Sequence, residues 1–331
     1  MNTASSGLHL SGDRPRATIA EDRLGYEGFA RALAQSIHSL VPPDGFVIGI
    51  HGSWGSGKTS AVNMVVEALG ELEAGDSRPT LVVRFNPWWF SEQENLVRAF
   101  FADLTASLEG KISNNVVEGL KKLARKVSGA KGAASALAGL LPGGDVLKAL
   151  TEAGFDVAGE WAADEKSLDE LRNAVQAALT KEGRRILVIV DDLDRLPADE
   201  ARQIFRLVKS VADLPYVVYL LVFDKVIAGR ALSHGGLSTS PDWLEKIIQA
   251  PFDLPPVHPT DIHALLFDAL NEVVGPEAPI EPSRWPDVFH KAVAPWLRTP
   301  RDAVRLGNGI AVLWPVVGPE VDLADLVAIE T

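Results

Sequence analysis

The residues best able to do chemistry stand in one octapeptide, Gly52-Ser53-Trp54-Gly55-Ser56-Gly57-Lys58-Thr59, which spells G-x-x-x-x-G-K-T. Glycines at this spacing let backbone N–H groups turn inward around phosphate oxygens. Lys58 carries a cation that reaches β- and γ-phosphates, and the Thr59 hydroxyl is a hard oxygen ligand for Mg2+. Ser60 completes the candidate ligand contacts. The flanking sequence supports the pattern. Phe46-Val47-Ile48-Gly49-Ile50 before it reads as a strand, and Ser60 to Leu69 after it reads as a helix. The N-terminus of that helix also turns its positive dipole end toward the anion. A bound nucleoside triphosphate is the expectation.

A second group of reactive side chains ends the run Ile186-Leu187-Val188-Ile189-Val190-Asp191-Asp192. Continuous apolar residues closed by acids are what a strand buried on both faces of a parallel sheet looks like. Beside a phosphate loop, Asp191 is the candidate Mg2+ ligand and Asp192 the candidate base for an attacking water. The bland alternative is an acidic turn opening a helix. Pro215 to Phe223 is another strand of the same kind, ended by Asp224.

These side chains need a scaffold, and the pattern supplies one. Residues 21–41 carry apolar positions at helical spacing, and Pro42-Pro43-Asp44-Gly45 turns that helix into the first strand. Thr80 to Phe85 predicts a second strand, followed by Asn86-Pro87-Trp88-Trp89-Phe90. Ser91 and Glu94 read as a capping box for a helix to about Leu108. Ser167 and Glu170 predict the start of a helix over 167–182, and Pro197 to Val211 predicts another. Ala250 to Leu254 suits a short edge strand, because Pro251 lacks an N–H to donate. From Thr260 onward the pattern is helical. Strands alternating with helices imply a parallel sheet covered on both faces, with ligands at the carboxyl ends of the strands.

Composition narrows the function classes. The chain of 331 residues has no cysteine, which excludes disulfides, thiolate metal sites and a cysteine nucleophile and fits a reducing cytoplasm. A net charge of −12 disfavours non-specific nucleic-acid binding by the whole surface, and no direct nucleic-acid binding is expected. The arm 1–18 lacks an apolar signal segment, and no run of about 20 apolar residues predicts a membrane span. His51 precedes Gly52, yet no second histidine stands at ligand spacing, so zinc is not expected.

Residues 109–165 differ from the rest. Lys111 to Lys131 is basic, with Ile112, Val116, Leu120, Leu123 and Val127 on one helical face. Gly132 to Gly144 is Gly/Ala-rich and apolar, and a further helix is predicted from Asp145 to about Trp161. The stretch 111–144 suits either a soluble helical insertion or peripheral contact with an anionic membrane at its inner face.

Four segments in order, Gly52 to Thr59, Phe85-Asn86-Pro87-Trp88-Trp89-Phe90, Asp191-Asp192-Leu193-Asp194-Arg195 and Thr299-Pro300-Arg301-Asp302, resemble the KAP family of P-loop NTPases, kin of STAND and AAA+ ATPases. The resemblance covers about residues 20–331. It implies a five-stranded sheet in the order 5-1-4-3-2, a P-loop NTPase core over 19–255 containing the insertion 109–165, and a helical C-terminal subdomain over 256–331. It also implies binding of ATP and Mg2+, partners in the form of another protein or further copies of the chain, and, for some bacterial kin, a link to phage exclusion. Family members often carry transmembrane helices where this chain has 109–165, and here no spanning segment occurs. By the same resemblance Asp224 stands where a residue senses the γ-phosphate; a helix cap is the other reading. Arg301 matches an arginine that leans on the phosphates, with Arg298 and Arg305 as rivals. Arg195 could pair with Asp194 or act as an arginine finger. Leu24-Gly25-Tyr26 lies where kin pack adenine, or else packs as an ordinary helix. Trp54 is read as bracing the loop against the sheet, and Trp88 and Trp89 as core or rim packing.

The leading functional reading is a slow, Mg2+-dependent ATPase that acts as a conformational switch. A nucleotide-gated scaffold with little hydrolysis is the alternative. A small-molecule kinase would need a lid and an acceptor pocket, for which there is no sign. Phe223-Asp224-Lys225 is not the Asn/Thr-Lys-x-Asp pattern of guanine readers, which favours adenine.

Overall fold

The computed structural model describes residues 14–40, 44–91, 96–129, 158–211, 213–233, 242–275 and 280–331. Most of the N-terminal arm, the Pro42-Pro43 turn, Glu94, the Gly/Ala-rich stretch and the helix predicted from Asp145 lie outside them, apart from the last residues of that helix. The chain divides into two compact units. One comprises residues 34–52 and 69–253, the other residues up to 33, 53–68 and 254–331.

The first unit is built on a parallel sheet of β1 (Phe46–His51), β2 (Leu81–Phe85), β3 (Ile186–Val190), β4 (Val217–Phe223) and β5 (Ala250–Asp253). The order across it is β2-β3-β4-β1-β5, the expected order read from the other edge. Every residue of β3 and β4 is buried, as their unbroken apolar sequences require. β5 is an edge strand, and Pro251 pairs opposite Gly49 there. The register aligns His51 with Phe223 and Val190 with Leu221, so Gly52, Asp191 and Asp224 all leave the carboxyl edge of the sheet. Phe85, Phe100, Phe101, Phe205, Tyr219 and Phe223 are fully buried in the core of this unit.

At the amino edge of the sheet a buried carboxylate ties four segments together. Glu73 accepts from the Thr80 amide and hydroxyl, both at 2.6 Å, and lies 3.2 Å from Arg185 Nη1 and 3.3 Å from His38 Nδ1. Arg185 also donates to the carbonyls of His38 and Leu40 at 2.7 and 2.8 Å. Burial raises the Glu73 carboxyl, but its hydrogen bonds with Thr80 and His38 and the charge of Arg185 lower it further, to below the ordinary carboxylate range.

The helices bring corrections. A 3-10 turn, Pro87–Phe90, follows β2, and the next helix runs Leu96–Leu108. The Ser91 hydroxyl donates to Glu200 Oε2 at 2.8 Å, while the capping box expected with Glu94 lies partly outside the described residues. One helix spans Ala158–Glu182, so Ser167 does not start it. No glycine or proline stands between Trp161 and Glu182, and the intervening residues are good helix formers, so a favourable cap residue cannot interrupt the run. The basic helix Asn114–Gly129 buries Val116, Val117, Leu120 and Leu123 in the core of the sheet unit. Its Gly119 packs so closely that an added Cβ would lie 2.9 Å from Val175 Cγ2. The described part of this apolar face is therefore occupied within the fold. The remainder of 111–144, from 130 onward, lies outside the described residues. Among the described residues no helix is long and apolar enough to cross a membrane.

The second unit contains the N-terminal segment, the phosphate loop with the first turns of the helix Lys58–Leu72, and the helices Pro259–Val274, Trp285–Val288, Pro300–Val317 and Leu323–Glu330. Its own core gathers Ile262, Leu266, Phe289, Val293, Ile310, Leu323 and Val327. Thr299-Pro300-Arg301-Asp302 is the start of a helix. Thr299 and Asp302 form a reciprocal capping box, and Pro300 occupies the first turn, where no N–H is needed.

Candidate nucleotide-binding site

The loop between β1 and the helix Lys58–Leu72 has backbone that only glycine adopts readily. Gly55 has φ 81° and Gly57 has φ 92°. Space is also tight at both. A Cβ on Gly55 would lie 3.0 Å from Thr299 Oγ1 and 3.1 Å from Arg301 Cβ, and one on Gly57 would lie 3.3 Å from Leu24 and Tyr26. Tyr26 is fully buried, and its hydroxyl donates to the Ser56 carbonyl at 2.5 Å. Burial is the main reason the Tyr26 phenol is shifted far above its ordinary value, so it stays a donor. Leu24-Gly25-Tyr26 thus packs on the phosphate loop itself, a role its sequence did not announce.

Lys58 opens the helix and is buried, with Nζ donating to the Ser53 carbonyl at 3.3 Å. The Ser56 hydroxyl is buried without a hydrogen-bond partner. Two positive-φ glycines, a buried ammonium and an unsatisfied hydroxyl on one loop fit a polyphosphate. Ser60 is buried, and its hydroxyl accepts from the Arg16 amide at 3.0 Å, which gives it a structural task. Thr59 is half-buried in the first turn.

Of the three arginines named from sequence, Arg301 is the one the structure brings to the loop. Its guanidinium lies 4.5 Å from the Trp54 ring centroid. Arg298 is exposed beside Trp296, 6.0 Å from that ring, and Arg305 is exposed. Trp54 is 53% exposed, so its indole is engaged with Arg301 rather than wedged into the fold as a brace.

The end of β3 is arranged with equal specificity. Asp192 is left-handed, φ 60°. That region costs asparagine and aspartate least among residues bearing a Cβ. The Asp192 amide donates to Asp191 Oδ1 at 2.8 Å. Asp192 Oδ2 accepts from Asn86 Nδ2 at 2.8 Å, and Oδ1 lies 2.7 Å from Arg195 Nε. Arg195 also lies over the Trp88 ring at 5.4 Å. Arg195 is therefore a partner of Asp192 in this fold. Asn86 additionally caps the turn Pro87–Phe90 by accepting from the Trp88 amide at 3.0 Å. The Asn-Pro pair signals such a cap; nothing in the sequence signals the bond to an acid 106 residues away. Trp88 and Trp89 are 47% and 73% exposed, which places them at the rim and not in the core.

Asp224 caps the next helix, Lys225–Ser233, accepting from the amides of Val226 and Ile227 at 2.8 and 3.3 Å. His51 is buried edge-on against Phe223, ring centroids 4.6 Å apart. Burial, then the nearby Lys225 charge, push its pKa down to about 4 against a smaller opposing pull from Asp253. For magnesium, the candidates Thr59 and Asp191 supply one hydroxyl and one carboxylate. That donor set suits an ion that keeps several waters and takes its remaining ligands from phosphates.

A family model described as the KAP family P-loop domain matches residues 26–316. The "Phage T7 exclusion protein" of Escherichia coli (strain K12) is 30% identical over 254 residues, 72% of this chain and 34% of that protein. This chain thus spans about a third of that relative's length. Among solved structures, the Aeropyrum pernix ORC2 protein in ADPNP-ADP complexes resembles it with a TM-score of 0.49 and 15% identity, over 97% of this chain and 70% of that one. Drosophila ORC bound to DNA resembles it with a TM-score of 0.47 and 15% identity, over 98% of this chain and 63% of that one. Likenesses of that size concern shape and carry no functional argument. The family match covers most of the chain and contains the phosphate loop, the β3 acids and the Thr299–Asp302 helix start: this protein belongs to the KAP family of P-loop NTPases.

Proposed function

We propose that this protein is a slow, Mg2+-dependent ATPase that acts as a conformational switch. The observation that carries the reading is the loop Gly52–Thr59, with its two positive-φ glycines and its buried Lys58 at the head of a helix. In this reading Lys58 binds the β- and γ-phosphates, and Thr59 and Asp191 hold magnesium, which neutralises charge developing on the phosphoryl oxygens. Asp192 orients and deprotonates the attacking water. Arg301 faces the terminal phosphate. Asp224 joins them as a γ-phosphate contact through whatever capacity its helix cap leaves.

One observation favours a second reading, a nucleotide-gated scaffold with little turnover. Both oxygens of Asp192 are engaged, by Asn86 and by Arg195, so neither can meet an attacking water without giving up a partner. Steady-state phosphate release separates the two. The ATPase reading expects wild type to exceed Asp192→Asn by at least tenfold; equal rates in the two proteins would leave the scaffold. Calorimetry with ATP and Mg2+ tests the shared premise: Lys58→Ala should lose binding. A role in excluding phage is proposed from the named relative alone. Its test is plaque formation on bacteria expressing this chain or its Lys58→Ala variant, where equal plaque counts would dismiss the role.

A further inference from the structure

Trp54 is an unexpected residue for the tip of a phosphate loop: large, apolar and more than half exposed. It contributes little to a core, yet the Arg301 guanidinium lies 4.5 Å from its ring centroid. The two belong to the same unit, and the contact is fixed from both ends. On the loop side, Gly55 packs directly on Thr299 and on the Arg301 Cβ. On the helix side, the capping box holds the first turn of Pro300–Val317.

The acid next to Arg301 in sequence is occupied with that box. Asp302 Oδ2 accepts from the Thr299 amide at 2.8 Å, the Thr299 hydroxyl at 2.9 Å and the Arg298 amide at 3.1 Å. The aromatic face of Trp54, 4.5 Å from the guanidinium, is a contact able to aim the arginine. The kind of contact matters chemically. Stacking engages the flat face of a guanidinium, whereas phosphate is recognised by the N–H groups along its edge. A ring can therefore hold the cation in place without competing for the donors that a phosphoryl group uses.

We propose that Trp54 is a positioning residue: it holds Arg301 for the terminal phosphate of a bound nucleoside triphosphate and so sets discrimination of triphosphate over diphosphate. The proposal rests on the reading that the loop binds a triphosphate. It gives the exposed aromatic residue of the loop a task in recognising the ligand.

The test is calorimetric affinity for a non-hydrolysable ATP analogue and for ADP, each with Mg2+, in wild type, Trp54→Ala, Trp54→Phe, Arg301→Ala and the double Trp54→Ala/Arg301→Ala variant. Trp54→Ala should weaken the triphosphate analogue by about tenfold while ADP affinity changes less than about twofold. Arg301→Ala should do the same, the double variant should be no weaker than Arg301→Ala, and Trp54→Phe should retain most of the affinity. Equal loss of both ligands in Trp54→Ala, or multiplied losses in the double variant, would overturn the proposal. Wild type binding neither ligand would overturn the nucleotide reading and this inference with it; wild type binding both, with Trp54→Ala indistinguishable from it, overturns the inference alone. Unchanged melting temperatures are expected, because Trp54 is half-exposed.

Discussion

The Asn86 amide donates to Asp192 across 2.8 Å, joining the end of β2 to the acid that follows β3. One side chain thus caps its own turn and orients the candidate base. Asn86→Ala removes both contacts. We expect kcat for phosphate release to fall roughly tenfold with KM within about twofold, because an acid held in a left-handed backbone loses its aim rather than the substrate its site. A matching rise in KM would show that Asn86 serves ligand binding instead.

Tyr26 should matter to the phosphate loop through a single atom. Tyr26→Phe keeps the buried ring against Gly57 and deletes the hydroxyl that bonds the Ser56 carbonyl. Unfolding free energy is expected to drop by about 1 kcal/mol, with triphosphate affinity reduced severalfold as the loop loosens. Denaturant melts and calorimetry on the same preparation read both. A stability loss with unchanged affinity would limit Tyr26 to packing.

Gly57→Ala is a harsher change at the same place. It forces a Cβ into a φ of 92° and to 3.3 Å from two side chains. A loss of about 1–3 kcal/mol is expected, whereas Gly70→Ala, in the helix Lys58–Leu72 with nothing within 4 Å of an added Cβ, should gain up to about 1 kcal/mol. Comparable losses in the two variants would remove the strain argument.

Glu73 should be a stability residue with an acid signature. Its folded-state pKa is depressed, so its contribution is complete above its ordinary value of 4.5 and is lost as pH falls through the lower folded value. Glu73→Gln should cost about 2–4 kcal/mol at pH 7, because Arg185 is left buried beside a neutral group. The gap between wild type and variant should shrink below pH 4. A gap that stays constant from pH 7 to 3 contradicts the assignment.

His51 acts in a different window. Its folded pKa is about 4 against an ordinary 6.5, so below pH 6.5 the unfolded chain takes up a proton that the folded one refuses. Stability falls with pH from 6.5 toward 4, by at most roughly 3.5 kcal/mol. His51→Gln should flatten the slope in that range. Urea midpoints at pH 7.5, 6, 5 and 4 measure it, and parallel curves for the two proteins would clear His51 of the effect.

Much of the architecture could be read from local signals. Unbroken apolar runs at Ile186–Val190 and Val217–Phe223 mark strands buried on both faces, and Pro251 marks an edge, because these depend only on what each residue can bury or donate. The glycine spacing at Gly52–Thr59 needed no partner to be recognised, since it encodes a backbone shape. Helix limits were less legible where a good cap residue, Ser167, lay inside a stretch of strong helix formers.

What linear order could not decide was pairing at long range. The choice of Arg301 over Arg298 and Arg305, the Asn86–Asp192 bond and the seat of Tyr26 under Ser56 each join residues far apart in the chain. Their partners are selected by packing geometry, not by residue type. The basic helix shows the same limit. Its apolar stripe is equally suited to a lipid surface and to a protein core, because burial is non-directional. Only the fold, by setting Gly119 against Val175, commits the described part of that stripe to the core.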